Sequence, residues 1–177
     1  NYKPQTTNYK TYFLVWTTTT WTLTAKVALA VGADIRYVKV KLEDETYILA
    51  KNRLGILKHP YEITGEVPGK KLVGFNYEPL FRFANPKNAF RVVAGDFVST
   101  EDGTGIVHIA PAFGEDDMNV ARAEKLPLIH NVDLEGKFTK EVMLWAGKFV
   151  KEADPMIIKE LEARGALYKK ELYEHEY

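Results

Sequence analysis

Thr17 to Thr20 are four consecutive threonines framed by Trp16 and Trp21, and with Thr22 and Thr24 they place six hydroxyls in the nine-residue run WTTTTWTLT. A threonine hydroxyl donates and accepts, and its stiff χ1 holds the oxygen in place. Two readings stand side by side. In a β-strand favoured by β-branching, Thr17 and Thr19 would face one way and Thr18 and Thr20 the other, with hydroxyls bonded to nearby backbone. In a polar wall, the same hydroxyls would meet a ligand rich in hydroxyl and carbonyl groups.

A second stretch, GTGIVHIAPAFGEDD from Gly103 to Asp117, gathers different chemistry. Gly103 and Gly105 permit a tight turn or close backbone approach, a weak signal for phosphate. His108 falls mid-strand between Val107 and Ile109, as a hydrogen-bonded structural residue or as a catalyst. Asp116 and Asp117 fall in the first turn of a helix, where the dipole stabilises carboxylates. Their alternative role is to present an ionised carboxylate to a substrate ammonium.

Other chemistries find little support. His59, His108, His130 and His175 lack paired spacing and a cysteine partner, which argues against a metal site. Ser99 is the single serine and stands in no nucleophile-elbow context. The chain has no cysteine, and its 24 basic and 24 acidic residues cancel, so it lacks the basic footprint of a domain that grips nucleic acid alone. No apolar run has membrane-spanning length and no signal-peptide pattern opens the chain. A start at Asn1 and an end in YEHEY suggest a piece of a larger protein, and the 177 residues suit a single domain, 1–177.

The elements that must carry these residues are mostly strands. TYFLVWTTTT is dense in β-branched and aromatic residues and predicts a strand. AKVALAVGAD predicts a short helical turn feeding a strand closed by Gly32. IRYVKVKLEDETYILAK predicts a hairpin, with Tyr37, Lys39 and Lys41 outward and a polar turn at Glu43 to Glu45. RLGILKHP predicts a helical turn stopped by Pro60, and KLVGF and FRVVAG short β segments. GEDDMNVARAEK predicts a helix, and DLEGKF a hairpin turn. DPMIIKELEARGALY predicts the best helix, with Asp154 as its cap, Pro155 at its first position and Gly165 ending it. The final LYKKELYEHEY predicts an extended segment. Together these suggest an α+β domain around a curved or closed, barrel-like sheet with two to three flanking helices.

VWTTTTWTLTAKVALAV together with EDGTGIVHIAPAFGEDD resembles the editing domain (connective polypeptide 1) of isoleucyl-tRNA synthetase, a class I aminoacyl-tRNA synthetase. VDLEGKF and GALYKKELYEHEY extend the resemblance over nearly the whole chain. Related domains that edit for valine and leucine carry an arginine in the threonine stretch, and this chain has none. The His-x-Gly-His and Lys-Met-Ser-Lys-Ser types of ATP signature are also missing, so the chain should not charge tRNA.

The resemblance implies a cytoplasmic, monomeric domain that hydrolyses misacylated valyl-tRNA(Ile), and valyl-adenylate as well, acting in cis with the rest of a synthetase. This synthetase family is itself the standard example of double-sieve editing. Asp117 would hold the α-amino group and His108 would line the pocket and help exclude isoleucine. Thr17, Thr18, Thr19 and Thr22 would contact the amino acid, the terminal ribose or the attacking water, with Thr18 and Thr19 closest to the chemistry, and Trp21 would shape the wall. The partner is the 3′ acceptor end of tRNA(Ile). Editing needs no cofactor, and ATP and metal belong to the missing synthetic domain. Either the vicinal ribose hydroxyl or His108 could take the water's proton, a positional role for His108 being preferred.

Three positions depart from the family pattern. Thr20 and Thr24 stand where proline is usual, and Lys26 stands where asparagine is usual. Loss of both prolines predicts a looser loop. Lys26 predicts a solvated cation, or one that covers the loop or reaches a tRNA phosphate. These changes also suit an alternative, a module that clamps the acceptor end with weak or no hydrolysis.

Overall fold

The computed structural model describes residues 10–171. Among these residues, seven strands form two sheets: β1 Thr11–Phe13, β2 Ala28–Val31, β3 Arg36–Leu42, β4 Glu45–Ala50, β5 Glu62–Pro68, β6 Arg91–Ala94 and β7 Ile106–Ile109. One sheet has the order β1-β4-β3-β5 and the other β6-β2-β7. The described residues also form two α-helices, α1 Glu115–Glu124 and α2 Val150–Ala163. The α+β class holds. A single closed barrel does not form among the described residues. The two open sheets are stitched at one corner, where the Trp16 N–H donates to Ile106 O (3.2 Å) and that of Ala50 to Thr104 O (2.8 Å).

The predicted hairpin is β3–β4, in register from Tyr37↔Ala50 to Leu42↔Glu45. Val38, Val40 and Leu42 pack with Leu14 and Leu49 on one face. Lys39 is exposed on the other, as alternation requires. Tyr37 departs from the expected pattern. It is fully buried because the second sheet covers that end of β3, and its hydroxyl donates to Gly105 O (2.6 Å) while accepting the Gly32 N–H (2.9 Å).

Three further expectations fail locally. TYFLVWTTTT is a strand only at Thr11–Phe13. Thr17 to Thr19 form a loop, and Thr20–Ala25 is a 3₁₀ helix, so the run has no alternating faces. KLVGF forms no strand; a 3₁₀ turn at Gly69–Lys71 leads to a segment whose Phe75 carbonyl accepts the Val92 N–H at the open edge of β6 (2.8 Å). α2 begins at Val150 rather than at Pro155. Val150, Ala153, Ile157 and Leu161 recur at helical spacing and are all buried, and burying this stripe carries the helix through Pro155. Proline there deletes only one interior N–H, close to an end whose first N–H groups are unpaired anyway. Gly165 ends α2 as predicted, with φ +67° and its N–H on Glu162 O.

RLGILKHP forms a 3₁₀ turn at Lys51–Ile56. DLEGKF is the predicted turn: Asp133 Oδ1 accepts the N–H groups of Glu135 and Lys137 (both 2.9 Å), and Val132 bridges Phe138. Leu167 to Glu171 carry no regular structure, and the rest of the final segment, including His175, lies outside the described residues. Among the described residues no helix is long and apolar enough to cross a membrane.

Candidate editing site

The threonine loop is shaped by its own hydroxyls. Thr17 Oγ1 accepts the Thr19 N–H (3.0 Å), a two-residue turn that competes with extended structure. The Thr22 hydroxyl donates back to Thr19 O (2.7 Å) and that of Thr24 to Trp21 O (2.9 Å). These bonds coil Thr20–Ala25 into a 3₁₀ helix against β-propensity. Thr18 is exposed and Thr17 and Thr19 are half-buried, whereas Thr22 and Thr24 are buried.

Thr24 does not leave the loop slack. Besides its bond to Trp21 O, its oxygen accepts Asn131 Nδ2–H (3.0 Å), so hydrogen bonds hold a position where a proline ring was expected.

The structure brings this turn against the second stretch. Thr22 Oγ1 and His108 Nε2 lie 2.7 Å apart. The one proton of Thr22 is committed to Thr19 O, so His108 donates Nε2–H to Thr22 and its Nδ1 carries the lone pair. That Nδ1 is buried and has no protein partner among the described residues. Burial, and then the nearby Lys26 ammonium, push the His108 pKa down to about 3. The imidazole is therefore neutral at pH 7 and a poor proton acceptor.

Asp117 lies one loop further on. Its Oδ2 accepts the Ala110 N–H (2.8 Å), just after β7, instead of capping α1. Burial raises its pKa above the ordinary carboxylate value, the Ala110 N–H opposes this, and Asp116 adds to the rise. Asp116 itself is exposed. Between His108 and Asp117, Phe113 meets Trp21 edge-on, with ring centroids 4.8 Å apart. His130 lies against the same Phe113 at 5.9 Å, a neighbour with no motif to announce it. Two surface clefts of about 340 and 530 Å³ lie elsewhere, the first beside Glu43 and His59 and the second beside Arg36 and Thr100, and neither contains a predicted site residue.

Lys26 corrects the expectation of a solvated cation. It is 7% exposed, its Nζ lies 5.1 Å from the centre of the Tyr77 ring, and no carboxylate among the described residues pairs with it. Burial lowers its pKa to about 8. Gly103 and Gly105 serve packing. Both have positive φ, and an added Cβ would come within 2.7 Å of the Trp16 ring and 2.5 Å of Ala50 Cβ, respectively.

No family profile matches the chain. Its sequence is 53% identical over 167 residues to the isoleucine–tRNA ligase of Clostridium acetobutylicum, covering 94% of this chain and 16% of that protein. Identity to the isoleucine–tRNA ligase of Bacillus thuringiensis is 48% over the same length, with the same coverage. The chain thus spans about 16% of the length of these relatives. Among solved structures, GlLeuRS-CP1 superposes with a TM-score of 0.78 at 17% identity, covering 98% of this chain and 87% of that one. The P. falciparum cytosolic leucyl-tRNA synthetase editing domain superposes with a TM-score of 0.70 at 12% identity, covering 89% and 78%. By sequence the chain matches a segment of isoleucine–tRNA ligases, and by fold it belongs with the editing domains of class I aminoacyl-tRNA synthetases.

Proposed function

We propose that this domain hydrolyses the ester of valyl-tRNA(Ile), and valyl-adenylate as well, within a larger isoleucine–tRNA ligase. The observation that carries the reading is the 2.7 Å contact between Thr22 and His108, which joins the threonine turn to the segment bearing Asp117. Asp117 Oδ1 faces the α-ammonium while Oδ2 stays on Ala110 N–H, and an incoming cation offsets the burial that raises its pKa. Neutral His108, fixed by Thr22, is a wall that limits side-chain size. Thr17, Thr18 and Thr19 supply donors and acceptors for the ribose and the water.

An aminoacyl ester is already activated, so orientation and hydrogen bonds to the developing oxyanion are sufficient. Water adds to the carbonyl carbon, the ester C–O bond breaks, and the proton ends on the departing ribose oxygen. The His108 pKa near 3 argues against a general-base role, which leaves the vicinal ribose hydroxyl as the preferred relay.

One observation favours the acceptor-end clamp instead: the buried Lys26, with no carboxylate partner among the described residues, places a cation beside His108. Single-turnover deacylation by the full-length enzyme separates the two. Hydrolysis predicts that Asp117→Ala abolishes the acceleration of valyl-tRNA(Ile) deacylation while Asp116→Ala keeps it. Equal rates for wild type and Asp117→Ala would remove Asp117 from the site.

A further inference from the structure

The 3₁₀ helix Thr20–Ala25 has Thr19 as its N-cap residue, whose side chain caps nothing. Its early N–H groups therefore need an outside acceptor. The Trp21 N–H finds one 133 residues away, donating to Asp154 Oδ1 on α2 at 2.8 Å. Asp154 is not needed where sequence signals put it, because α2 begins at Val150 with Phe149 as its N-cap residue. Its half-buried carboxylate is directed instead at the turn that carries Trp21 and Thr22.

The surroundings make this a fixed joint. Leu23, from the same turn, packs in one buried cluster with Ala153 and Ile157 of α2. The Thr24 oxygen accepts Asn131 Nδ2–H at the turn's other end. Thr20, at the turn's first position, lacks the fixed φ of a proline, so the entry angle rests on bonds such as this one.

We infer that Asp154 is a positioning residue for editing: its hydrogen bond to the Trp21 N–H sets the 3₁₀ turn so that Thr22 meets His108 and Trp21 meets Phe113. The inference rests on the editing function proposed above. Asp154 touches no reacting atom, and its effect passes through the backbone of the turn. Displacement of such a turn by about an ångström is enough to cost on the order of 100-fold in rate.

The test uses the full-length enzyme with Asp154→Ala and Asp154→Asn. Asparagine keeps an oxygen at the Oδ1 position but loses the charge, whereas alanine loses both. We expect Asp154→Ala to lower kcat for valyl-tRNA(Ile) deacylation roughly 10- to 100-fold with KM little changed. It should also speed amide exchange of the peptide containing Trp21, and Asp154→Asn should restore both toward wild type. If Asp154→Asn is as impaired as Asp154→Ala, the carboxylate acts through its charge near the start of α2 and the inference fails. It also fails if Asp154→Ala exchanges and hydrolyses like wild type. If wild type itself does not hydrolyse valyl-tRNA(Ile) but Trp21 protection is lost only in Asp154→Ala, the editing reading falls while the positioning of the turn stands.

Discussion

His108 Nε2–H donates to Thr22 Oγ1 at 2.7 Å, and because Thr22 spends its own proton on Thr19 O, this one contact fixes the imidazole tautomer and the threonine turn together. Thr22→Val keeps the shape and removes the hydroxyl. It leaves a Nε2–H without an acceptor in a buried setting, at a cost of about 1–3 kcal/mol. Denaturant unfolding should register that loss, and a freer imidazole should let isoleucyl-tRNA(Ile) into hydrolysis. Unchanged stability with unchanged rejection of isoleucine would mean the contact has no part in the wall.

His108 also predicts a pH response. Its folded pKa, about 3, lies below the ordinary 6.5, so the unfolded chain takes up the proton first. Its contribution to stability is complete above pH 6.5 and is lost as pH falls toward 3. Unfolding midpoints measured from pH 8 to 4 should fall more steeply for wild type than for His108→Gln. Deacylation rates should show no inflection from this residue between pH 5.5 and 8; a clear inflection there, absent in His108→Gln, would show that the imidazole titrates in that range.

Lys26 gives a slope of the same sign, but at alkaline pH. Its pKa is lowered from 10.5 to about 8, so the folded state disfavours the charged amine and stability rises as pH climbs from 8 to 10.5. Lys26→Met should therefore gain on the order of 3 kcal/mol at pH 7, a gain that shrinks above pH 8 and vanishes beyond 10.5. Removing the ammonium should also raise the His108 pKa, visible by NMR titration. A Met variant less stable than wild type at pH 7 would contradict a cost of burying this cation without a carboxylate partner.

Gly105 has φ +78° and lies where a Cβ would come within 2.5 Å of Ala50 Cβ. Both terms oppose a side chain, so Gly105→Ala should destabilise by roughly 2–4 kcal/mol. Thermal melts would measure it. A neutral effect would mean that the corner between the sheets relaxes easily.

Legibility in the sequence followed the range of the interactions. The β3–β4 hairpin was readable because alternation and a polar turn are local, and α1 because Gly114 and three acidic residues mark its start. The Trp16–Thr24 run misled because β-branching argues for a strand, whereas the Thr17 and Thr22 hydroxyls bond the backbone two and three residues away and coil the chain. Asp154-Pro155 imitated a helix start, but the buried stripe from Val150 to Leu161 sets the real one. The candidate site residues were nameable from the two motifs and the resemblance they carry. Their joints were not, since neither the Asp154–Trp21 bond nor the burial of Lys26 beneath Tyr77 leaves a local pattern.

The most direct measurement compares single-turnover deacylation of valyl-tRNA(Ile) and isoleucyl-tRNA(Ile) by the full-length enzyme. An editing site walled by Thr22 and His108 predicts strong acceleration for valine and a near-spontaneous rate for isoleucine, the gap closing in His108→Ala. A spontaneous rate for both substrates with wild-type enzyme would contradict it.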